Sequence, residues 1–576
     1  MTDRDSNTPP RERTLEPSMP HLPEAAGDPR RWWVLAVLSL SLLVIGVDNL
    51  VVQVALRDIA LDLGTSSTAL PWIVDAYVLP FAGLLIFAGG LADRLGRKRM
   101  LLVGLAVFGA ALLGASLAGS TTELLTWRTL QGVGAALIMP STLAIVKDVF
   151  PSHERAKAIG IWVGASSAGV PLGPLVGGLV LKHYSWGAVF LISLPLVGLA
   201  ILAGAVLIPE SRGPGSGRLD WIGAALSVAG LVSMVYGIIE GPARGWTSPL
   251  VLTGILGGVA LIAGFAVHEI ATERRGRIPM LPMGLLADRF VAGAALAGLT
   301  ISFALFGAIY LITQYLQNVA GYDALGTGLR LMPITGVVLG GPIGSLLTGR
   351  HGPRWVIPSG LLVASLGLAS LAGVGTDDTT RVLVSLAILG IGLGMTLAPA
   401  GDTILAATPS RYAGAGSALT DTTIQLGGAL GIAVLGSIAT SGYRQALPDL
   451  SGLPAPVHDV ARDSITGATE ALARVPGAEQ LLRAAQEAFT TGLAHGMYAA
   501  LALTLAVAAI TAGLLPAGRA GQPTKAPQQE APPTSEDLTR IQRAPSRSRA
   551  PAFISAVSVM PPGPDESPTF NEGARP

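Results

Sequence analysis

The chain has no cysteine among its 576 residues, which excludes disulfides, thiolate metal sites and cysteine nucleophiles. Charge is scarce: Asp, Glu, Lys and Arg make up 13% of the residues, against roughly 25% in a soluble domain. Aromatic residues are few, at 5%. The seven histidines are dispersed without ligand-like spacing, so neither a metal nor a cofactor is expected. No G-x-x-x-x-G-K-[ST] phosphate loop is present, which excludes ATP hydrolysis through a P-loop. The net charge is only +1 and the bases are scattered rather than striped, which argues against a nucleic-acid partner. Lysine is rare beside arginine, alanine and glycine, a bias that points to a GC-rich bacterial genome.

What is abundant is apolar and small. Half of the residues are hydrophobic and 73 are glycine, the composition that close helix contacts in lipid require. A membrane span needs about 20 apolar residues, and about fourteen stretches meet that length. The first six run near 32–54, 70–91, 100–118, 123–146, 158–181 and 186–208. Two more lie near 221–240 and 249–268, and six follow near 290–316, 326–348, 355–375, 380–400, 413–438 and 493–516. The expected fold class is an all-α integral membrane protein. It comprises an N-terminal six-helix half (32–208), two additional helices (221–268) and a C-terminal six-helix half (290–516). Residues 1–31 and 517–576 are polar and Pro-rich and read as disordered cytoplasmic tails. The first has no cleavable-signal pattern, so span one is expected to be retained.

Basic residues set the orientation. Arg94, Arg97, Lys98, Arg99, Lys147, Arg155, Lys157, Arg212, Arg218, Arg274, Arg275, Arg277, Arg289, Arg350, Arg354 and Arg411 follow even-numbered spans. The opposite loops hold few bases, so both termini are expected to be cytoplasmic. An internal echo links LADRLGRK at 91–98 with LTGRHGPR at 347–354, with Gly349 where Asp93 stands. Repeats of this kind build many transporters. On the outer side, residues 441–491 carry apolar residues at helical spacing on either side of a Pro-Gly, predicting an amphipathic helical hairpin outside the membrane. A tolerated surface insertion is the alternative.

Polar residues inside apolar helices are the chemical clue, because such groups are costly there and face a bundle interior or a cavity. Asp48 lies in the outer part of span one, Asp75 about a turn and a half into span two, and Arg128 at a similar depth in span four. Asp421, in span thirteen, lies nearer the midplane. Burial disfavours the charged form of a carboxyl, so each acid can carry a proton, bind a cation or exchange one for the other. For Asp48 or Asp75 the alternative is a structural ion pair with Arg128. Asp402, at the inner end of span twelve, reads as a solvated or capping residue. Trp72, Tyr77, Trp162, Tyr310 and Tyr315 are candidates for a cavity shaped for flat cations, with packing or interfacial anchoring as the alternative. Gln314, Gln317 and Gln425 could add polar contacts.

Three segments resemble signatures of the major facilitator superfamily. GGLADRLGRKRML at 89–101 matches its loop signature through Gly89, Leu91, Asp93, Arg94, Gly96, Arg97 and Lys98. There the glycines permit close backbone approach. Asp93 is expected to face the positive N-terminus of a neighbouring helix, and the bases to pair with acids as a conformational latch. Arg128, Gln131, Gly132 and Gly134 resemble a second signature, whose Arg is tied to proton coupling in relatives. Ala165, Gly169, Gly173 and Gly177 form a small-residue stripe in span five, where another helix can pack almost backbone to backbone, and Pro171 and Pro174 are expected to kink it. Gly169, Gly173, Pro174, Gly177 and Gly178 resemble the antiporter motif and point to exchange or export.

With about fourteen spans and LPWIVDAYVL around Asp75, residues 32–516 resemble the fourteen-span drug:proton antiporter family, and most of all the pumps for quaternary ammonium compounds. The resemblance implies a proton-driven efflux antiporter for lipophilic, mainly cationic drugs, working by alternating access in a bacterial inner membrane. Its partners would be protons, small substrates and lipid, and it would be monomeric. Asp48, Asp75 and Asp421 match acids used there for proton or substrate work. Departures are Val338 and Gln425 at acid positions, Thr420 before Asp421, and Gln53 and Arg57 where relatives often show Asn and Pro. Fewer acids imply fewer proton sites or a narrower substrate range, and disfavour divalent cations. The alternatives are a dedicated exporter of one metabolite, lipid or antibiotic, a receptor or scaffold, and a membrane-embedded enzyme. The last lacks a convergent nucleophile, metal or base set, so no enzymatic activity is expected.

Overall fold

A computed structural model describes residues 29–66, 69–212, 219–277, 279–408, 413–450 and 454–516, apart from some side chains between 152 and 171, at 413–415 and at 455–456. The tails therefore lie outside the described residues save for positions 29–31, as do Arg218 and Arg411 and the side chain of Pro171. Among the described residues, fourteen long helices follow one another. They are α1 (Arg31–Leu63), α2 (Ala69–Leu95), α3 (Arg97–Ser116), α4 (Thr121–Val149) and α5 (Ser152–Leu181). Then come α6 (Ala188–Leu207), α7 (Trp221–Arg244), α8 (Pro249–Arg274), α9 (Arg289–Val319) and α10 (Ala324–His351). The last are α11 (Pro353–Leu371), α12 (Thr379–Ala407), α13 (Ala413–Ala446) and α14 (Glu479–Leu514). Among the described residues, thirteen helices are long and apolar enough to cross a membrane; in α5 the described apolar stretch is Leu172–Leu181. The chain is a multi-pass membrane protein. In lipid every backbone polar group must be satisfied within its own segment, which is why long apolar helices are the form these stretches take.

Helices α1 to α6 pack chiefly on one another, as α1 on α5, α2 on α4 and α3 on α4. Helices α9 to α14 do likewise, through α9 on α13, α11 on α12, α10 on α12 and α13 on α14. The α7–α8 pair packs on itself, and α7 also lies against both α2 and α13. Ser437 on α13 donates to the Ile238 carbonyl of α7 at 2.9 Å, and Arg444 to that of Pro242 at 3.0 Å. The added pair thus adjoins the seam between α2 and α13.

The small-residue stripe of α5 serves two neighbours. A Cβ on Gly169 would stand 2.4 Å from the Gly46 carbonyl carbon, and one on Gly173 or Gly177 would press on Val47, Leu50 or Val51 of α1. Gly178 faces elsewhere: its Cβ would lie 2.5 Å from the Ala324 carbonyl oxygen, and one on Gly328 of α10 would lie 2.3 Å from the Pro174 carbonyl oxygen. One stripe therefore joins α5 to α1 and, at its outer end, to α10.

Two expectations change. The charged hinge at 89–101 is almost entirely helical: α2 ends at Leu95 and α3 begins at Arg97, so Gly96 alone breaks the helix, at φ +117. Gly352 does the same between α10 and α11, at φ +81. Only glycine adopts these angles without strain, so the internal echo is a shared one-residue corner. The outer hairpin also differs. Its first arm is two short helices, Ala455–Asp463 and Ile465–Leu472, while the second arm is the outer extension of α14. After the corner at Gly477 (φ +83), α14 runs 36 residues without interruption.

Gly169→Leu is expected to abolish the folded, monodisperse fraction in detergent, because its first side-chain carbon meets backbone. Gly164→Leu, where nothing lies within 4 Å, is expected to leave that fraction within about twofold. Size-exclusion profiles of the two variants provide the comparison.

Candidate functional site

The membrane acids occupy three different environments. Asp48 and Arg128 are fully buried and paired: Arg128 Nη1 donates to Asp48 Oδ2 at 2.8 Å. The same nitrogen donates to Gln131 Oε1 at 2.8 Å, and Nε donates to the Ile73 carbonyl of α2 at 3.0 Å. The guanidinium lies 4.5 Å from the centre of the Tyr77 ring. One arginine thus ties α1, α2 and α4 together. Small residues bring the helices close enough for this: a Cβ on Gly132 would stand 2.2 Å from the Tyr77 carbonyl, and one on Gly134 2.8 Å from the Phe108 nitrogen of α3. The ion pair weighed for Asp48 or Asp75 therefore belongs to Asp48.

Asp75 is also fully buried, yet neither carboxylate oxygen has a hydrogen-bond partner among the described residues. Its helix α2 packs against α13 of the other helix group, and Tyr310 on α9 is near enough to feel its charge. Asp421 on α13 is half-buried and makes no hydrogen bond or ion pair among the described residues. Gln425, one turn further along the same helix, is 8% exposed and its Nε2 has no described partner. Asp402 is exposed at the inner end of α12.

The aromatic candidates separate. Tyr310 and Gln314 line a small outer cavity with Leu70, Tyr443 and Phe489. Tyr77 is instead packed beneath Arg128. Trp72 meets Tyr236 of α7, ring centres 6.2 Å apart. Trp162 donates to Thr142 at 3.1 Å, and the Tyr315 hydroxyl to the Gly375 carbonyl at 2.8 Å. Sequence pattern could not separate these roles, since an aromatic at helical spacing has the same signature in a cavity wall and in a helix contact.

At the corner between α2 and α3, Arg97 is the centre of the loop signature. Its Nε and Nη2 donate to Asp93 Oδ1 at 2.9 and 2.7 Å, and its Nη1 to Asp148 Oδ2 at 2.5 Å. Asp93 thus takes Arg97 as its partner, rather than the helix N-terminus expected for it; a guanidinium offers two aligned donors and a full charge. The Arg97 nitrogen donates to the Ser211 carbonyl at 2.9 Å and Lys98 to that of Ala205 at 2.7 Å. A Cβ on Gly96 would stand 2.5 Å from Glu210 Oε1, while one on Gly89 would touch only Pro140, at 3.5 Å. Arg94 is exposed.

At the end opposite Arg97 the two helix groups meet through polar contacts, of whose members the sequence pattern offers Gln317 as a polar contact but not its partner across the seam. Gln317 Nε2 donates to the Val54 carbonyl at 2.8 Å, and Arg57 Nη2 lies 3.5 Å from Glu470 Oε1. Thr469 and Gln486 both reach the Asn318 carbonyl. A π-helical turn at Tyr315–Val319 sets these residues; such turns cluster at functional sites. The one available signal was the polar spacing of Asn49, Gln53 and Arg57 in an apolar run.

Comparison with known proteins accords with this geometry. Residues 37–223 and 219–432 match the model of the Major Facilitator Superfamily. The multidrug efflux pump LfrA of Mycolicibacterium smegmatis is 35% identical over 507 residues, covering 85% of this chain and 97% of the relative. The puromycin resistance protein pur8 of Streptomyces alboniger is 36% identical, covering 78% and 89%. The methyl viologen resistance protein SmvA of Salmonella typhimurium is 31% identical, covering 76% and 87%. Among solved structures, the chain shares the fold of a bacterial homologue of the human lysosomal transporter Spinster, with a TM-score of 0.60 at 19% identity over 85% of this chain and 98% of that one.

Arg128→Gln leaves a buried carboxylate without its cation, a change that costs about 3–5 kcal/mol. Arg128→Gln combined with Asp48→Asn is expected to regain part of that loss. Thermal unfolding in detergent, run as a double-mutant cycle, measures the coupling, which strict additivity would disprove. Asp75→Asn is expected to unfold within a few degrees of wild type.

Proposed function

Because the chain belongs to the major facilitator superfamily, we propose that it is a proton-coupled efflux antiporter that exports lipophilic, mainly cationic drugs or dyes by alternating access. The single observation that carries this reading is Asp75: a fully buried carboxyl with no described partner, on the helix that packs against α4 of its own group and α13 of the other. An isolated charged carboxylate is costly there. It is stable when protonated or when a cation stands beside it, which is the requirement for exchanging one for the other. Asp48 is already committed to Arg128, so it holds the site together and sets the local charge. Asp421 and Gln425, on the opposite helix group, offer a charge and a polar amide to the substrate.

The cycle follows from the seam contacts. Gly178 against Ala324 and Gln317 against Val54 close the outer end, so the conformation fits the inward-open half of an alternating-access cycle. A cationic substrate enters from inside and is drawn to Asp421 and Asp75. Outward opening breaks the outer contacts, and a proton from outside neutralises Asp75 and releases the cation. On the return, the proton leaves to the inside. The Arg97 cluster joins Asp93 on α2, Arg97 on α3 and Asp148 on α4, and is intact in this inward-open form, so it braces the inner end of one helix group through the cycle. The full topology of fourteen spans with both termini cytoplasmic belongs to this reading, as do the two six-helix halves joined by α7 and α8. Names of relatives such as puromycin resistance protein and tetracenomycin C resistance and export protein favour one second reading, a dedicated exporter of a single antibiotic by the same cycle.

Everted vesicles carrying the protein are expected to take up a fluorescent cationic dye only under an imposed proton gradient. Asp75→Asn is expected to lower that uptake at least about tenfold, a loss of about 1.4 kcal/mol of coupling. Asp421→Asn is expected to raise the half-saturating dye concentration more for cationic than for neutral substrates. Uptake of one compound alone across a panel of dyes and antibiotics would establish the dedicated exporter instead.

A further inference from the structure

Three polar residues stand in line on α1 where the rest of the helix is apolar. Asn49, Gln53 and Arg57 are spaced at four, so they share one face. That face is turned to the second helix group, as the approach of Arg57 to the Gln317 carbonyl and to Glu470 shows. Gln53 is fully buried, and both its amide oxygen and its amide nitrogen lack a partner among the described residues. Asn49 Oδ1 and Arg57 Nε are likewise buried without one. Across the seam, Asn318 Oδ1 is in the same condition. Buried polar atoms without protein partners are satisfied by bound water. An amide with neither end paired would cost several kcal/mol in hydrocarbon.

The spacing suits water. Four residues rise about 6 Å, about two hydrogen-bond lengths, so one water bridges each successive pair. From Arg57 to Asn49 the row spans about 12 Å. Its inner end reaches the level of the acids: Asp48 adjoins Asn49, and Arg128 ties Asp48 to Ile73, two residues from Asp75.

We propose that Gln53 and Asn49 hold a chain of bound water that, once outward opening parts Arg57 from Gln317 and Glu470, conducts protons from the outer surface to the layer containing Asp75. This rests on the proton-coupled reading above. Each water accepts a proton from its outer neighbour and gives one to its inner neighbour. The net event takes one proton from bulk water outside and forms one O–H bond on a carboxylate oxygen of Asp75. Gln53 and Asn49 are thus positioning residues for the proton, separate from the groups that meet the substrate.

Two measurements on the full chain test this. Hydroxyl-radical footprinting by brief X-ray exposure, read by mass spectrometry, detects bound water next to residues 49–57. Labelling there is expected in wild type, to be lost in Gln53→Leu and kept in Gln53→Ser. Proton-driven dye transport is expected to fall at least about tenfold in Gln53→Leu, and to be largely kept in Gln53→Ser, with dye affinity unchanged within twofold. Asn49→Val serves where Gln53→Leu does not fold, with the same expectations. Absence of labelling in wild type overturns the water chain, whatever the transport result. Full proton-driven transport by Gln53→Leu overturns its role while leaving proton coupling intact. Wild-type transport that ignores the proton gradient, with labelling present, overturns the proton-coupled reading and the conducting role together.

Discussion

A charged guanidinium held inside a membrane helix is the constraint on which much of the N-terminal helix group depends. Arg128 cannot remain in an apolar interior without acceptors, and it collects them from three helices: Asp48 on α1, Ile73 on α2 and Gln131 on its own α4. Such a pair is costly to bury and more costly to break. Its geometry therefore fixes the register of α1, α2 and α4 at the depth where Asp75 also lies. The glycines are what make the distances attainable, since Gly132 sets α4 against the backbone of α2, and Gly169 sets α5 against that of α1.

The two buried acids at this depth have opposite characters because only one has a partner. Asp48 is neutralised by Arg128 and is mechanically part of the bundle. Asp75 has no such partner among the described residues, which is what the proposed exchange chemistry rests on. This division assigns stability to one carboxyl and proposed exchange chemistry to the other. It also explains how a site can be rigid without losing the ability to switch.

The seam is shut at one end by small, specific contacts. Backbone approach at Gly178 and Gly328 excludes side chains, and amide contacts at Gln317 and Asn318 fasten the edges. None is individually strong, which suits the proposed closure and reopening of this end. The α7–α8 pair flanks the seam between α2 and α13, and the linker before α7 meets the Arg97 cluster through Ser211. The added helices are thus connected to the Arg97 cluster, and the short helices at 455–472 reach the seam contacts at the opposite end through Thr469 and Glu470.

Much of this was legible in the sequence by itself. Apolar length located the spans, because lipid permits few alternatives to a helix. The glycine spacing at 169, 173 and 177 announced close packing, and the isolated acids and Arg128 announced a buried polar site. Those are properties of a segment and its solvent. What only the tertiary structure decided is which groups meet. Asp48 and Asp75 stand at similar depth, and the direction in which each side chain leaves its helix, set by packing of the whole bundle, gave Arg128 to one and not the other. The same holds for Gly178, which left the stripe of its neighbours to face α10, and for Trp72, which met α7 rather than a cavity. It holds also for Gln53, whose two unpartnered amide atoms become visible only when its surroundings are closed. Hydrophobic pattern is a local quantity; partnership between polar groups depends on helices far apart in the chain, and no segment carries that information alone.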